Sequence, residues 1–80
     1  MQSQVTVRYW AGARRAAGLA SEVLSAGTLA ELLTELRARP GLAEVVAACS
    51  VLVDEVQPSR DDMRLPAGAV VDILPPFAGG

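Results

Sequence analysis

From Gln4 to Trp10 the chain alternates, with Val5, Val7 and Tyr9 set against Thr6, Arg8 and Trp10. A period of two, built from β-branched and aromatic residues, predicts a strand with two unlike faces. Two glycines break the pattern in AGARRAAG, which reads as a loop with a helical turn. A second, weaker strand follows over Ala20 to Ala26. The period then changes. Leu29, Leu32, Leu33 and Leu36 recur at i, i+3, i+4 and i+7, the apolar stripe of a helix from Leu29 to Arg39. Thr28 and Glu31 form a T-x-x-E capping box, in which each side chain satisfies a backbone donor at the helix start. Arg37 and Arg39 suit the negative C-terminal end, and Pro40-Gly41 stops the helix. Leu42 to Cys49 predicts a short second helix, and Ser50 to Asp54 a third strand. EVQPSRDD is rich in turn formers, MRL predicts a short edge strand, PAG a turn, and Ala69 to Pro75 the last strand.

The order β-β-α-(α)-β-β-β sets one amphipathic helix against one sheet, a two-layer α+β domain. The helix covers one face of the sheet and leaves the other to solvent or a partner. This is the β-grasp arrangement. A chain of 80 residues makes one domain, residues 1–80, and its 51% hydrophobic content excludes a disordered chain. No apolar run approaches the ~20 residues that cross a bilayer. Met1 to Val7 lacks a basic start followed by an apolar segment, so no signal peptide is expected. The expectation is a soluble cytoplasmic protein without a membrane partner.

The formal net charge of −2 is unlike the basic, clustered footprint of a nucleic-acid binder, so no nucleic-acid partner is expected. All seven positive charges are arginines, and the chain has no lysine. Histidine is absent and Cys49 is the single cysteine, which leaves no Cys/His set for zinc and no internal disulfide. Cys49 sits among small apolar neighbours and reads as a buried small hydrophobe. Glu31 and Glu35 read as solvated helix residues. Catalysis needs a nucleophile, a base, a metal or a bound cofactor. The chain is therefore expected to have no activity alone and to bind no metal and no cofactor.

The one chemically distinctive group left is the α-carboxylate of Gly80, at the end of VDILPPFAGG. Pro75 and Pro76 cannot continue a ladder and favour an extended, stiff exit. Phe77 is an apolar anchor beyond the fold, and Ala78, Gly79 and Gly80 are small enough for a narrow tunnel. A tail from residue 75 to residue 80 reaches about 20 Å at ~3.3 Å per residue.

VDILPPFAGG resembles the ending of the MoaD/ThiS group of ubiquitin-like sulfur carriers, which includes the small subunit of molybdopterin synthase. VTVRYWAGARRAAG is similar to the group's first strand and turn, and TLAELLTELRAR to its main helix. The PP-x-AGG ending is the specific part. The resemblance implies a ubiquitin-like fold with a mixed sheet. It implies that an E1-like enzyme adenylates the Gly80 carboxylate with ATP and that sulfur then displaces AMP, leaving a thiocarboxylate. It further implies that the tail enters the large subunit of molybdopterin synthase and gives its sulfur to precursor Z, with Gly79 lining the approach. A sulfur carrier for thiamine or cysteine synthesis stays open as an alternative; Pro-Pro before a bulky residue favours the molybdopterin branch. A ubiquitin-like protein modifier also stays open, although without lysine it cannot build branched chains on its own side chains.

The strand pattern adds a surface. Charge marks the face away from the helix, which places Arg8 and Asp72 there. By the pleat, Trp10 and Leu74 lie on the same open face, at the ends of two strands that the β-grasp makes parallel neighbours. Together with Phe77 they form an apolar patch expected to be the partner interface. The polar, proline-containing DEVQPSRDD is a departure from the group that alters the contact there.

Overall fold

The computed structural model describes residues 2–75. Seven elements follow in order: β1 (Ser3–Tyr9), α1 (Gly12–Ala17), β2 (Ser21–Ala26), α2 (Leu29–Arg37), α3 (Ala43–Ala48), β3 (Ser50–Val53) and β4 (Val70–Leu74). They build a four-stranded sheet in the order β2-β1-β4-β3. β1 runs antiparallel to β2 and parallel to β4, and β3 runs antiparallel to β4. The expected mixed sheet is therefore present, with the first and last strands side by side at its centre.

The alternation of β1 decides which side is core. Val5, Val7 and Tyr9 are buried, as are Val71 and Ile73 of β4. Against them pack Leu29, Leu32, Leu33 and Leu36 of α2, the stripe read from the sequence, with Leu42, Val46 and Leu65 closing the margins. Thr28 caps α2 as expected: Glu31 N–H donates to its Oγ1, while the Glu31 carboxylate accepts from the backbone N–H of Thr28 and of Gly27. Truncating a buried leucine loses transfer energy and leaves a cavity, so Leu33→Ala costs about 2–5 kcal/mol. Thr28→Ala loses one cap, about 1 kcal/mol. Chemical denaturation separates the two, and a smaller loss for the leucine would mean that α2 presents another face.

Three expectations need correction. AGARRAAG is not mainly loop: residues 12–17 form α1, with Ala13 fully buried beneath it. Its alanines favour helix, and Gly18 at φ 80° ends it, its N–H donating to the Arg14 carbonyl. MRL is not an edge strand. Arg64 makes only an isolated bridge with Thr28. The carbonyls of Met63 and of Asp61 just before it serve α2 instead: Leu29 N–H donates to Met63 O and Ala30 N–H to Asp61 O. These are first-turn donors that a helix cannot satisfy internally. The element order is thus β-α-β-α-α-β-β. Finally, α2 stops at Arg37, and Arg39 turns its guanidinium to the Glu22 carboxylate.

DEVQPSRDD opens with a two-residue hairpin turn. Asp54 and Glu55 both have positive φ, 49° and 67°, and Val53 and Val56 exchange backbone hydrogen bonds across them. That turn type demands left-handed residues at both central positions. The Asp54 carboxylate then accepts from Val70 N–H, fastening the turn to the start of β4.

Candidate interaction site on the open face

The side of the sheet away from the core carries Thr6 and Arg8 of β1, Val70 and Asp72 of β4, Leu52 of β3 and Val23 of β2. Val23 is 61% exposed, and Thr6, Arg8, Val70 and Leu52 are partly exposed, so no helix seals this face among the described residues. Arg8 and Asp72 lie there as expected, directly opposite each other in the parallel register.

Their relationship was not foreseen. The Arg8 guanidinium grips the Asp72 carboxylate with two bonds, Nε to Oδ1 at 2.6 Å and Nη2 to Oδ2 at 2.8 Å. A guanidinium matches a carboxylate in this forked geometry better than any other side chain. Trp10 adds a third donor, its indole Nε1 lying 3.0 Å from Oδ1. The Arg8 guanidinium carbon stands 5.6 Å from the Trp10 ring centroid, within cation–π range. These two side chains cover Asp72 so well that it is only 4% exposed on a face that is otherwise open.

Trp10 itself is 41% exposed. Its backbone N–H donates to the Ile73 carbonyl at 3.2 Å, which extends the β1–β4 ladder one residue past β1 and brings Trp10 level with Leu74. Leu74 and Pro75 are half-buried. The structure thus brings together Trp10, Leu74 and Pro75 where the chain leaves β4. The other expected tail residues, Pro76, Phe77, Ala78, Gly79 and Gly80, lie outside the described residues.

A second polar network lies on the core side. The Tyr9 hydroxyl donates to Glu22 Oε2, and Arg39 donates to both oxygens of the same carboxylate. It ties β1, β2 and the turn that follows α2 together. Burial, then the Glu22 bond, pushes the Tyr9 phenol well above its usual range. Cys49 packs half-buried beside the core, and burial raises its thiol pKa. Among the described residues no group of three or more Cys, Asp or Glu stands close enough to hold a metal ion. No helix there is long and apolar enough to cross a membrane.

Both arginine-paired carboxylates make stability sensitive to acid. The Arg8 bonds pull Asp72 below its ordinary value of 3.8, helped by Trp10 and opposed by burial. The Arg39 bonds pull Glu22 below 4.5, helped by Tyr9 and opposed by burial. A depressed carboxylate contributes its stability in full above the ordinary value and loses it as pH falls through the folded one. Melting temperature therefore holds near neutrality and drops below about pH 4–5. Asp72→Asn combined with Glu22→Gln lowers the plateau and flattens that slope. Melts across the range decide, and an undiminished slope would remove both groups from the account.

Among the described residues this face carries one ion pair and exposed apolar side chains. The sequence profile of the ThiS family matches residues 7–80. No curated protein matches the sequence. Among solved structures, the chain is similar to one in the protein–protein complex of subunits 1 and 2 of molybdopterin-converting factor from Helicobacter pylori. That likeness is 26% identical, covers 96% of this chain and 99% of that one, and has a TM-score of 0.80. The small archaeal modifier protein 1 of Methanosarcina acetivorans superposes with a TM-score of 0.84 at 22% identity, over 100% of this chain and 99% of that one. Urm1 of Trypanosoma brucei gives 0.71 at 20% identity, over 99% and 97%. At those identities the last two establish the fold alone, the ubiquitin-like β-grasp. With a family profile running through nearly all of its length on that fold, this chain belongs to the ThiS family of ubiquitin-like sulfur carriers.

Proposed function

We propose that this sulfur carrier serves as the small, sulfur-donating subunit of a molybdopterin synthase in the cytoplasm. The observation that carries the reading is the likeness to a chain of the Helicobacter pylori subunit 1–subunit 2 complex, the one compared structure above whose identity, 26%, reaches beyond fold. In this reading a large subunit docks on the open face at Trp10 and Leu74. Pro75, Pro76, Phe77, Ala78 and Gly79 thread its tunnel, and Gly80 presents the reacting group.

The chemistry needs almost nothing from the carrier's side chains. A carboxylate is a poor acyl donor because its leaving group would be oxide. An E1-like enzyme solves this with ATP: the Gly80 carboxylate attacks the α-phosphorus, pyrophosphate leaves, and an acyl-adenylate forms. Hydrosulfide then attacks the acyl carbon, AMP departs and the thiocarboxylate remains; where the sulfur arrives on a persulfide, a second thiol cleaves the S–S bond of the acyl disulfide and leaves joined to the donor as a disulfide. That sulfur is a strong nucleophile at neutral pH toward precursor Z, and the large subunit supplies the electrostatics. ATP is consumed by the activating enzyme and is not held by the carrier. A role in thiamine or cysteine synthesis would use the same activation and a different acceptor. A protein-modifier role is favoured only by fold, through the small archaeal modifier.

Intact mass spectrometry tests the reading. With the E1-like enzyme, ATP and a sulfur donor, the chain gains the difference between one sulfur and one oxygen. Adding the large subunit and precursor Z returns the mass to its starting value. A mass that never changes overturns the carrier chemistry, and a gain that precursor Z cannot discharge overturns the molybdopterin assignment.

A further inference from the structure

The placement of Asp72 is costly in isolation. Aspartate is disfavoured in strands, and a carboxylate taken from water loses hydration that its partners must replace. An apolar pair of similar size often serves stability as well as a covered ion pair does. Stability therefore does not explain why β4 carries an acid at its centre, 4% exposed. What the arrangement specifically produces is a fixed indole. The Arg8 fork immobilises the carboxylate, and Oδ1, already held by Arg8 Nε, is the atom that accepts from Trp10 Nε1. The Arg8 guanidinium near the ring adds a second restraint on the same side chain. A ring held in this way is still 41% exposed and stands level with Leu74, where the chain leaves β4.

We infer that Asp72 is a positioning residue: clamped by Arg8, it sets the orientation of Trp10 on the open face, so that a docking partner meets one preformed aromatic ring. The inference rests on the reading of the open face as the large-subunit interface. Fixing a side chain before association removes part of the ordering cost that binding would otherwise carry. Aromatic anchors near the centre of an interface carry much of its energy, so loss of the clamp is felt in affinity. Asp72 itself need not touch the partner.

Trp10 is the single tryptophan of the chain, which makes it its own reporter. In the free chain the wild type shows a structured near-ultraviolet dichroism band from the indole and high fluorescence anisotropy. Asp72→Ala, with far-ultraviolet dichroism unchanged, flattens the band, lowers the anisotropy and weakens binding to the large subunit at least about tenfold. Asp72→Asn keeps an acceptor for the indole N–H and restores most of both signals. Should Asp72→Ala fail to fold, Arg8→Leu with Asp72→Val removes the clamp without leaving a lone charge, and the same loss is expected. An indole signal equal to wild type in either folded variant overturns the inference. So does a freed indole with unchanged affinity. A wild-type chain that does not bind the large subunit overturns the proposed function instead, and the indole signals still decide on Asp72.

Discussion

Removing Gly80, or adding one residue after it, abolishes sulfur transfer and leaves the fold unchanged. The chemistry proposed for this chain resides in one terminal carboxylate, so its position is the whole of the catalytic geometry. One residue shifts it by about 3.3 Å along an extended tail. Misplacing a reacting group by about 1 Å already costs on the order of 100-fold. The expected loss is therefore greater than that, in adenylation and in transfer alike. The fold is expected to be indifferent to the change: among the described residues, every core residue lies at or before Ile73. Circular dichroism and thermal melting of both variants should overlay the wild type, while a single-turnover assay with the activating enzyme and large subunit reads no product. Sulfur transfer retained by the extended variant would remove Gly80 from the mechanism.

Leu74→Arg and Trp10→Ala each weaken large-subunit binding by at least about 2 kcal/mol, roughly 30-fold in Kd. Leu74 is half-buried and Trp10 is 41% exposed, and the two stand level across the β1–β4 pair. Arginine at position 74 places a charge at the middle of an apolar contact. Alanine at position 10 removes the largest exposed ring on the face. Neither substitution opens the core, which lies on the opposite side of the sheet. Trp10→Ala takes one donor from Asp72, but both Arg8 bonds remain, so the carboxylate keeps its charge partner. Titration calorimetry beside thermal melting separates affinity from stability. Unchanged affinity in both variants, or unfolding of Trp10→Ala, would show that the two faces of the sheet have been assigned the wrong roles.

How much of this was legible beforehand follows from how far apart the interacting residues are. The alternation of Val5, Val7 and Tyr9 and the leucine stripe of α2 are local patterns. A chain must bury such a face whatever else it does, and both proved to be core. The capping box spans three residues and was equally readable. From these patterns came the two-layer fold; the charges of Arg8 and Asp72 and the pleat of the first and last strands assigned Arg8, Trp10, Asp72 and Leu74 to the open face, and the family resemblance made those strands neighbours. The likeness of the ending to sulfur carriers supplied the expected chemistry, and the family match over residues 7–80 bears out the family.

Only the tertiary structure decided what non-local partners do with these residues. MRL has a plausible strand composition, yet the first turn of α2 lies close to this segment, and its unpaired donors take the carbonyls of Asp61 and Met63. Glycines suggested a loop over residues 12–17, yet burial of Ala13 made a helix worth forming. Arg8 and Asp72 could be assigned to one face from alternation, but they are 64 positions apart in the chain. Nothing local says that they share a rung. The parallel register of β1 and β4 puts them opposite each other, and the ladder continued by Trp10 N–H carries the indole to the same carboxylate. Periodicity determines which side of a strand a residue takes, because backbone geometry alone fixes the pleat. Which residue it meets there depends on how strands pair, and that is settled by packing the entire chain.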